Sequence, residues 1–156
     1  MCLLCLGLSF VFAEGVGETT DEPESPSMTY AQEVLDAQAL IDEEDYQGAI
    51  DLLMPYVESH LDDADAFNLL GYSNRKLGDY EKGLEYYTKA LELEPEHIGA
   101  NEYLGELYLE TGELDKAIER LTILGDAEAC QQSCEAYLEL KELVDSYQPE
   151  GTSSQN

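Results

Sequence analysis

The sequence predicts an all-α fold in which three helix-turn-helix units stack and a further helix closes the array. The main observation is an internal repeat: Gly71 recurs as Gly105 and Gly78 recurs as Gly112, both at an offset of 34 residues. Each unit holds two apolar stretches of helical periodicity, separated by a short polar turn that carries Gly or Asp. One helix pair cannot bury its apolar face, so units of this kind have to stack to be stable.

The chain starts with an apolar run, MCLLCLGLSFVFA, at residues 1–13. A standard signal peptide carries a Lys or Arg before its apolar region, and no such residue precedes this run. The run is too short to cross a bilayer as a mature helix, but it is typical of the hydrophobic region of a secretory signal that is cleaved after Ala13. We therefore expect a periplasmic or secreted protein, with no membrane insertion after the signal is removed.

Two segments lack hydrophobic periodicity. Residues 14–28 mix carboxylates with Gly, Ser, Thr and two prolines, which predicts a flexible acidic linker. Residues 148–156 have the same character and are expected to be a disordered tail. The folded domain is thus expected over residues 29–147.

The first unit is expected over about residues 30–63. Thr29 and Gln32 have the spacing of a capping box, so the first helix should start near Tyr30. Pro55 lies inside the second helix of this unit, where a proline removes a backbone hydrogen bond and costs on the order of 3 kcal/mol unless the helix kinks. We expect a bend at this point.

The second and third units are expected over residues 64–97 and about 98–129. Asp45 and Asp79 stand just before the second helices of the first two units, where aspartate is a favourable N-cap. Small residues recur where neighbouring helices have to approach closely, namely Ala49, Gly71, Gly83, Gly105 and Ala117.

A closing helix is expected over about residues 132–147, starting near Cys134 and ending before Pro149. Its predicted buried stripe consists of Ala136, Leu140, Leu143, Val144 and Tyr147. The residues predicted to lie outside this stripe are Glu135, Glu139, Lys141 and Glu142. Such a helix would cover the apolar end of the third unit.

The 34-residue pattern resembles the tetratricopeptide repeat (TPR) family. The middle unit carries the resemblance most clearly, with Phe67 at the large aromatic position, the pair Leu70-Gly71, the turn Gly78-Asp79-Tyr80, the packing residues Tyr87 and Ala90, and the closing Pro95. The third unit keeps Leu104-Gly105, Tyr108, Gly112 and Ala117. The first unit keeps Asp45-Tyr46, Ala49 and Leu53. This resemblance implies a right-handed superhelix.

The units also depart from the family pattern. Asn74 and Asn101 stand at positions that are usually aromatic, and Gly83 replaces the usual Ala. In the first unit, Asp36-Ala37 occupies the place of the Leu-Gly pair.

The resemblance further implies a groove, lined by the first helix of each unit, that binds a protein or peptide partner. The candidate groove residues are Val34, Gln38, Ile41, Asn68, Tyr72, Arg75, Lys76, Glu102, Glu106 and Glu110. The family's two-carboxylate clamp for chaperone C-termini uses Lys and Asn at the positions of Asn68, Tyr72, Glu102 and Glu106. This clamp is absent from the sequence, and each candidate is also compatible with an ordinary solvated helix position.

The chain is strongly acidic, with 35 Asp and Glu against 7 Lys and Arg, a formal net charge of -28. No Lys or Arg precedes Arg75. Such a surface repels nucleic-acid phosphates and anionic lipid headgroups, so neither is expected as a partner. We interpret the acidity mainly as a solvated surface, and the alternative is attraction of a basic partner.

No pattern in the sequence indicates catalysis, a cofactor or a metal. The acidic runs at residues 42–45 and 62–65 lack the alternating ligands and the glycine of a calcium loop, and we interpret them as helix caps. His60 and His97 lie near junctions between units and are interpreted as polar loop residues. We also find neither a phosphate-binding loop nor a dinucleotide fingerprint, so an enzyme is not expected.

Cys130 and Cys134 form the motif CQQSC between the third unit and the closing helix. A structural disulfide is the favoured interpretation, and it is easier to form if Cys130 lies in the turn before the helix. The alternatives are free or reversibly oxidised thiols, and a metal or redox site, for which one pair supplies too few ligands. The sequence therefore predicts a non-enzymatic interaction module or adaptor of the bacterial cell envelope; a thiol-redox or metal-handling protein and a structural assembly subunit are the alternatives.

Overall fold

The computed structural model describes residues 31–148, and within this range it forms helices and no strands. The helices are α1 Gln32–Asp42, α2 Tyr46–Val57, α3 Ala64–Lys76, α4 Tyr80–Leu93, α5 Ile98–Glu110, α6 Leu114–Asp126 and α7 Glu135–Ser146. They pack as the pairs α1–α2, α3–α4 and α5–α6, each pair contacts the next, and α7 lies against α5 and α6. The predicted all-α array with a closing helix is confirmed. The predicted signal at 1–13, the predicted linker at 14–28 and nearly all of the predicted tail at 148–156 lie outside the described residues.

Aspartate carboxylates cap three of the helices. The distances from carboxylate oxygen to amide nitrogen are 2.9 Å for Asp45 with Gly48, 2.9 Å for Asp63 with Ala66, and 3.2 Å for Asp79 with Lys82. Each such cap contributes about 1 kcal/mol and places negative charge at the positive end of the helix dipole. One residue of each acidic run therefore caps a helix. The first helix differs, since α1 begins at Gln32 after Ala31 and has no side-chain cap, and Thr29 is outside the described residues.

The turns inside the three units share one backbone geometry. Gly78 and Gly112 have φ angles of 82° and 81°, and Glu44, at the equivalent position of the first unit, has a φ of 61°. In each unit the next amide donates to a carbonyl near the end of the first helix, with N–O distances of 2.8 Å for Asp45 with Leu40, 2.9 Å for Asp79 with Asn74 and 2.7 Å for Glu113 with Tyr108. This is the left-handed helix ending that glycine favours. The first unit forms the same helix ending with Glu44 in place of a glycine.

Two glycines allow the close helix contacts that the sequence predicts. A Cβ atom at Gly71 would lie 2.6 Å from a ring carbon of Tyr87 in α4, and a Cβ at Gly105 would lie 2.5 Å from a methyl group of Leu140 in α7. Tyr87 and Leu140 are fully buried. Gly105, the glycine of the third unit, thus allows the closing helix α7 to pack closely against α5.

Asparagines at two usually aromatic positions are buried, with hydrogen bonds made by their side-chain amides. The Asn74 amide donates to the carbonyl of Leu70 at 2.8 Å. Asn101, fully buried, donates to the carbonyls of Pro95 and His97, both at 3.0 Å, and its oxygen accepts from Arg120 at 3.4 Å. These bonds offset the cost of burying an amide in place of a ring.

The closing helix is only partly covered. Ala136 and Leu140 are buried and Val144 and Tyr147 are half-buried, but Leu143 is 43% exposed, so its place in the predicted buried stripe is wrong. The physical reason is that, among the helices of residues 31–148, α5 and α6 are the ones that pack against α7, which leaves the side with Leu143 exposed. Pro55 lies in the last turn of α2, which continues to Val57, and the bend there stays a prediction.

Candidate functional site

A cavity of about 400 Å³ lies between α1, α3 and the first residues of α2, next to α5. Four of the predicted groove residues line it, namely Gln38, Ile41, Tyr72 and Lys76. Its other lining residues are Asp42, Glu44, Tyr46, Leu69 and Tyr103. We refer to this cavity as the groove.

The remaining predicted groove residues do not line this cavity. Val34, Asn68 and Glu102 are 5%, 6% and 7% exposed, so little of each is available to a partner. Arg75, Glu106 and Glu110 form one ion-pair cluster.

Three tyrosines from separate units form the aromatic side of the groove. The ring centroids of Tyr72 and Tyr103 are 4.8 Å apart at an interplanar angle of 57°, and those of Tyr46 and Tyr72 are 6.3 Å apart at 60°. Both are the tilted geometries that aromatic pairs prefer. Burial raises the pKa of Tyr103 to about 12, so its hydroxyl stays protonated at neutral pH. Sequence reasoning missed Tyr46 and Tyr103; the tyrosine content, 11 residues in all, was the available signal.

Arg75 is a buried cation behind these rings. It is 5% exposed, and its terminal nitrogens lie 2.6 Å from a Glu106 carboxylate oxygen and 2.8 Å from one of Glu110. Its guanidinium carbon is 5.4 Å from the Tyr72 ring centroid and 5.9 Å from that of Tyr103, within cation–π range. The two carboxylates neutralise the arginine, so it joins α3 to α5 and offers no free positive charge to a partner.

Glu102 lies in α5 close to other carboxylates. Burial, the nearby Glu106 carboxylate and a hydrogen bond with Glu139 raise the pKa of Glu102 to about 7. Two carboxyl groups can share a hydrogen bond only when one of them carries a proton. The protonation of Glu102 therefore changes near neutral pH.

His97, predicted to be a polar loop residue, caps a helix and contacts a carboxylate of another unit. It is the N-cap of α5: its Nδ1 accepts the amide proton of Ala100 at 3.1 Å, and its Nε2 donates to a carboxylate oxygen of Asp65 in α3 at 3.0 Å. Because Nδ1 accepts, the proton of the neutral ring must be on Nε2. The side chain is 9% exposed, so His97 ties the second unit to the third.

His60 packs on a neighbouring ring. Its centroid lies 4.0 Å from that of Tyr56 at an interplanar angle of 6°, and its Nδ1 is 2.9 Å from the Tyr56 carbonyl oxygen. The Tyr56 hydroxyl donates to Asp63 at 2.7 Å. His60 thus lines the junction between the first two units, as its sequence position suggests.

The structure brings Cys130 and Cys134 to bonding distance in the loop before α7. Their Cα atoms are 4.8 Å apart, inside the range of disulfides. Cys130 is 2% exposed and Cys134 is the N-cap residue of α7. Between them, Gln131 and Gln132 have φ angles of 48° and 61°, a left-handed pair that sequence reasoning missed.

Residues 31–148 show neither a metal-binding cluster nor a membrane-spanning helix. In this range, no three His, Cys, Asp or Glu side chains come together in a way that could hold a metal ion. None of the described helices has the length and apolar character needed to cross a membrane.

Comparisons with known proteins agree with this geometry. Two family models described as tetratricopeptide repeat match residues 64–97 and 86–119. No curated protein sequence matches the chain. The predicted repeat family is thus confirmed across the second unit and into the third.

Solved structures with a similar fold include the type III secretion chaperone SycD and the protein PcrH. The translocator chaperone SycD of Yersinia enterocolitica superposes with a TM-score of 0.65 at 18% identity, covering 74% of this chain and 81% of SycD. PcrH, solved with the chaperone binding region of PopD, gives 0.62 at 17% identity and covers 74% and 88%. SycD solved with a peptide of the translocator YopD gives 0.61 at 20% identity and covers 74% and 86%. The predicted fold class is therefore confirmed.

Proposed function

Because this chain contains tetratricopeptide repeats, at residues 64–119, we propose that it is a non-enzymatic module that binds a segment of another protein in the groove. The partner segment lies against α1 and α3 and reaches the tyrosines that come from the neighbouring units. Proteins of similar fold have been solved with segments of PopD and YopD, which supports a peptide as the type of ligand.

The observation that carries this proposal is the aromatic wall of the groove. Tyr46, Tyr72 and Tyr103 line one cavity of about 400 Å³. Tyrosine is enriched at protein interfaces because its ring supplies apolar contact and its hydroxyl satisfies polar groups of the partner. A groove with this lining suits an extended peptide, whose backbone needs hydrogen bonds and whose side chains need apolar contact.

Charge favours a partner segment with basic residues. Asp42 and Glu44 line the groove, and Lys76 is the one basic residue there. Arg75 adds no free charge, since Glu106 and Glu110 neutralise it. Complementary charge increases the rate of association and selects among partners, so the groove suits a basic segment. Because residues 1–13 have the character of an export signal, we propose an adaptor of the cell envelope, exported to the periplasm or beyond, that recognises such a segment.

The thiol-redox alternative has less support. Exchange requires a thiolate to approach a sulfur atom, and Cys130 is 2% exposed. A structural assembly subunit would use the same surfaces toward copies of this chain, and the experiment below distinguishes it.

Site-specific photo-crosslinking tests the proposal. A benzoylphenylalanine placed at Gln38, in the groove, should crosslink one defined protein in native cells, and the same group at Thr88, exposed on α4, should not. The change Tyr72→Ser should remove the crosslink while circular dichroism shows an intact helical fold. Equal labelling from both positions, or none from Gln38, would refute a groove ligand, and a crosslink to the chain itself would indicate the assembly subunit.

A further inference from the structure

We infer that a second docking site lies between α2 and α4, and that it accepts a bulky apolar side chain next to a basic residue in a partner protein. This site is a cavity of about 360 Å³ that shares no lining residue with the groove. We refer to it as the α2–α4 pocket. The inference does not depend on the proposed function, since the pocket can be occupied whether or not the groove binds a peptide.

The α2–α4 pocket has a buried apolar floor and exposed apolar walls. Phe67 and Val57 are 5% and 7% exposed and form the floor. Leu61, Met54 and Leu93 are 70%, 39% and 39% exposed and surround it. Large apolar residues that are exposed singly are normal on a protein surface, but several around one cavity mark an interaction site. The volume, near the low end for ligand pockets, suits one or two apolar side chains.

The pocket also has fixed polar groups. The Tyr86 hydroxyl donates to the sulfur of Met54 at 3.1 Å, which joins the two helices across the pocket. The Lys89 ammonium lies 5.1 Å from the Tyr86 ring centroid and 5.8 Å from that of Phe67, and it bonds the Glu85 carboxylate at 2.7 Å. The Lys89 charge is therefore paired with that of Glu85. The remaining charges that line the pocket are the carboxylates of Glu58 and Glu92.

These two carboxylates determine the chemistry of the occupant. An apolar side chain can fill the cavity, and a Lys or Arg beside it in sequence can then reach Glu58 or Glu92. A second copy of this chain is disfavoured, because its net charge of -28 would bring like charges together. The chain's own apolar residues 1–13 are also disfavoured, since the acidic segment 14–28 that follows them has no basic residue.

Methyl NMR of the full chain tests the inference with a minimal probe, the dipeptide acetyl-phenylalanyl-arginine amide. It should shift the methyl signals of Met54, Leu61 and Leu93 in a saturable way. The matched probes acetyl-alanyl-arginine amide and acetyl-phenylalanyl-glutamate amide should each bind about tenfold more weakly or worse, since one lacks the apolar group and the other reverses the charge. No saturable shift at these methyls, or equal binding of all three probes, would overturn the inference.

Protein variants identify the site. Leu61→Ser removes an exposed wall of the pocket and should weaken the first probe about tenfold. Leu138→Ser, at a residue 54% exposed on α7, is the matched control and should leave binding unchanged, as should Tyr72→Ser in the groove. Binding that survives Leu61→Ser would place the probe elsewhere and overturn the inference.

Two further measurements address the other occupants. If the double change Phe10→Ser with Phe12→Ser shifts the methyl signals of Met54 and Leu61 in the free chain, the N-terminal segment fills the pocket and the inference is wrong. If sedimentation shows a dimer that Leu61→Ser dissociates, a second copy fills it, which also overturns the inference.

Discussion

The ring of Tyr87 lies so close over Gly71 that a Cβ atom at position 71 would stand 2.6 Å from a ring carbon. Tyr87 is fully buried, so its ring can yield only by displacing the side chains packed around it. Gly71→Ala should therefore lower the free energy of unfolding by about 1–3 kcal/mol, as overpacking does, despite the better helix propensity of alanine.

Gly83→Ala is the matched control for this prediction. Its added Cβ would lie 3.1 Å from a terminal methyl carbon of Leu107, which needs to give by only a few tenths of an ångström. Urea denaturation of both variants should show the larger loss for Gly71→Ala. Equal losses would mean that the close contact between Gly71 and Tyr87 does not limit the stability of the fold.

The left-handed turn at Glu44 predicts a stabilising substitution. With a φ of 61°, Glu44 occupies the conformation that Gly78 and Gly112 take in the other units. A residue with a Cβ pays about 1–2 kcal/mol there, so Glu44→Gly should raise the free energy of unfolding by about 1 kcal/mol after the entropy of glycine is subtracted. Glu43→Gly, at a φ of -85°, is the control and should be destabilising or neutral. A loss of stability with Glu44→Gly would contradict the turn geometry.

The proposed disulfide predicts a redox-dependent stability. Changing Cys130 and Cys134 together to Ser should lower the free energy of unfolding by about 1–3 kcal/mol, a small effect because the bond closes a short loop. Reductant should lower the stability of the native chain by a similar amount and leave the double variant unchanged. Mass spectrometry with and without reductant reports the bond directly. A double variant that keeps its stability but loses function would instead support the thiol-redox alternative.

The raised pKa of Glu102 predicts how stability depends on pH. Burial, Glu106 and the hydrogen bond with Glu139 raise the pKa from 4.5 to about 7, so the folded chain binds this proton more tightly than the unfolded chain. The contribution of Glu102 to the free energy of unfolding is therefore largest below about pH 4.5, falls as the pH rises to about 7, and is constant above that.

Glu102→Gln keeps a neutral side chain at every pH and isolates this effect. At pH 8 the variant should be more stable than the native chain by about 1–2 kcal/mol, and at pH 4 the two should be nearly equal. Urea denaturation from pH 4 to pH 8 measures the difference, and Glu142→Gln, exposed on α7, serves as the control. A difference that does not change with pH would show that Glu102 does not titrate in this range.

The sequence predicts what the units share, and it misses what depends on how they stack. A spacing of 34 residues identifies the helices, and Asp45 and Asp79 act locally as caps, so both follow from the chain alone. The ring of Tyr103 reaches the groove, and Arg75 pairs with Glu106, only because α5 packs on α3 at a particular angle. The spacing of the repeats in the sequence gives no information on the angle at which α5 packs on α3.

The two bonds of His97 predict a coupling between the second and third units. His97→Ala removes both the cap of α5 and the bond to Asp65, and should lower the free energy of unfolding by about 1–3 kcal/mol. His97→Asn can still cap the helix but is too short to reach Asp65, so its loss should be smaller. Asp65→Ala removes the acceptor and should match the loss of His97→Asn, and the double variant should lose no more than either one, since both remove the same bond. Additive losses would show that the 3.0 Å contact between Nε2 and the Asp65 carboxylate contributes nothing to stability.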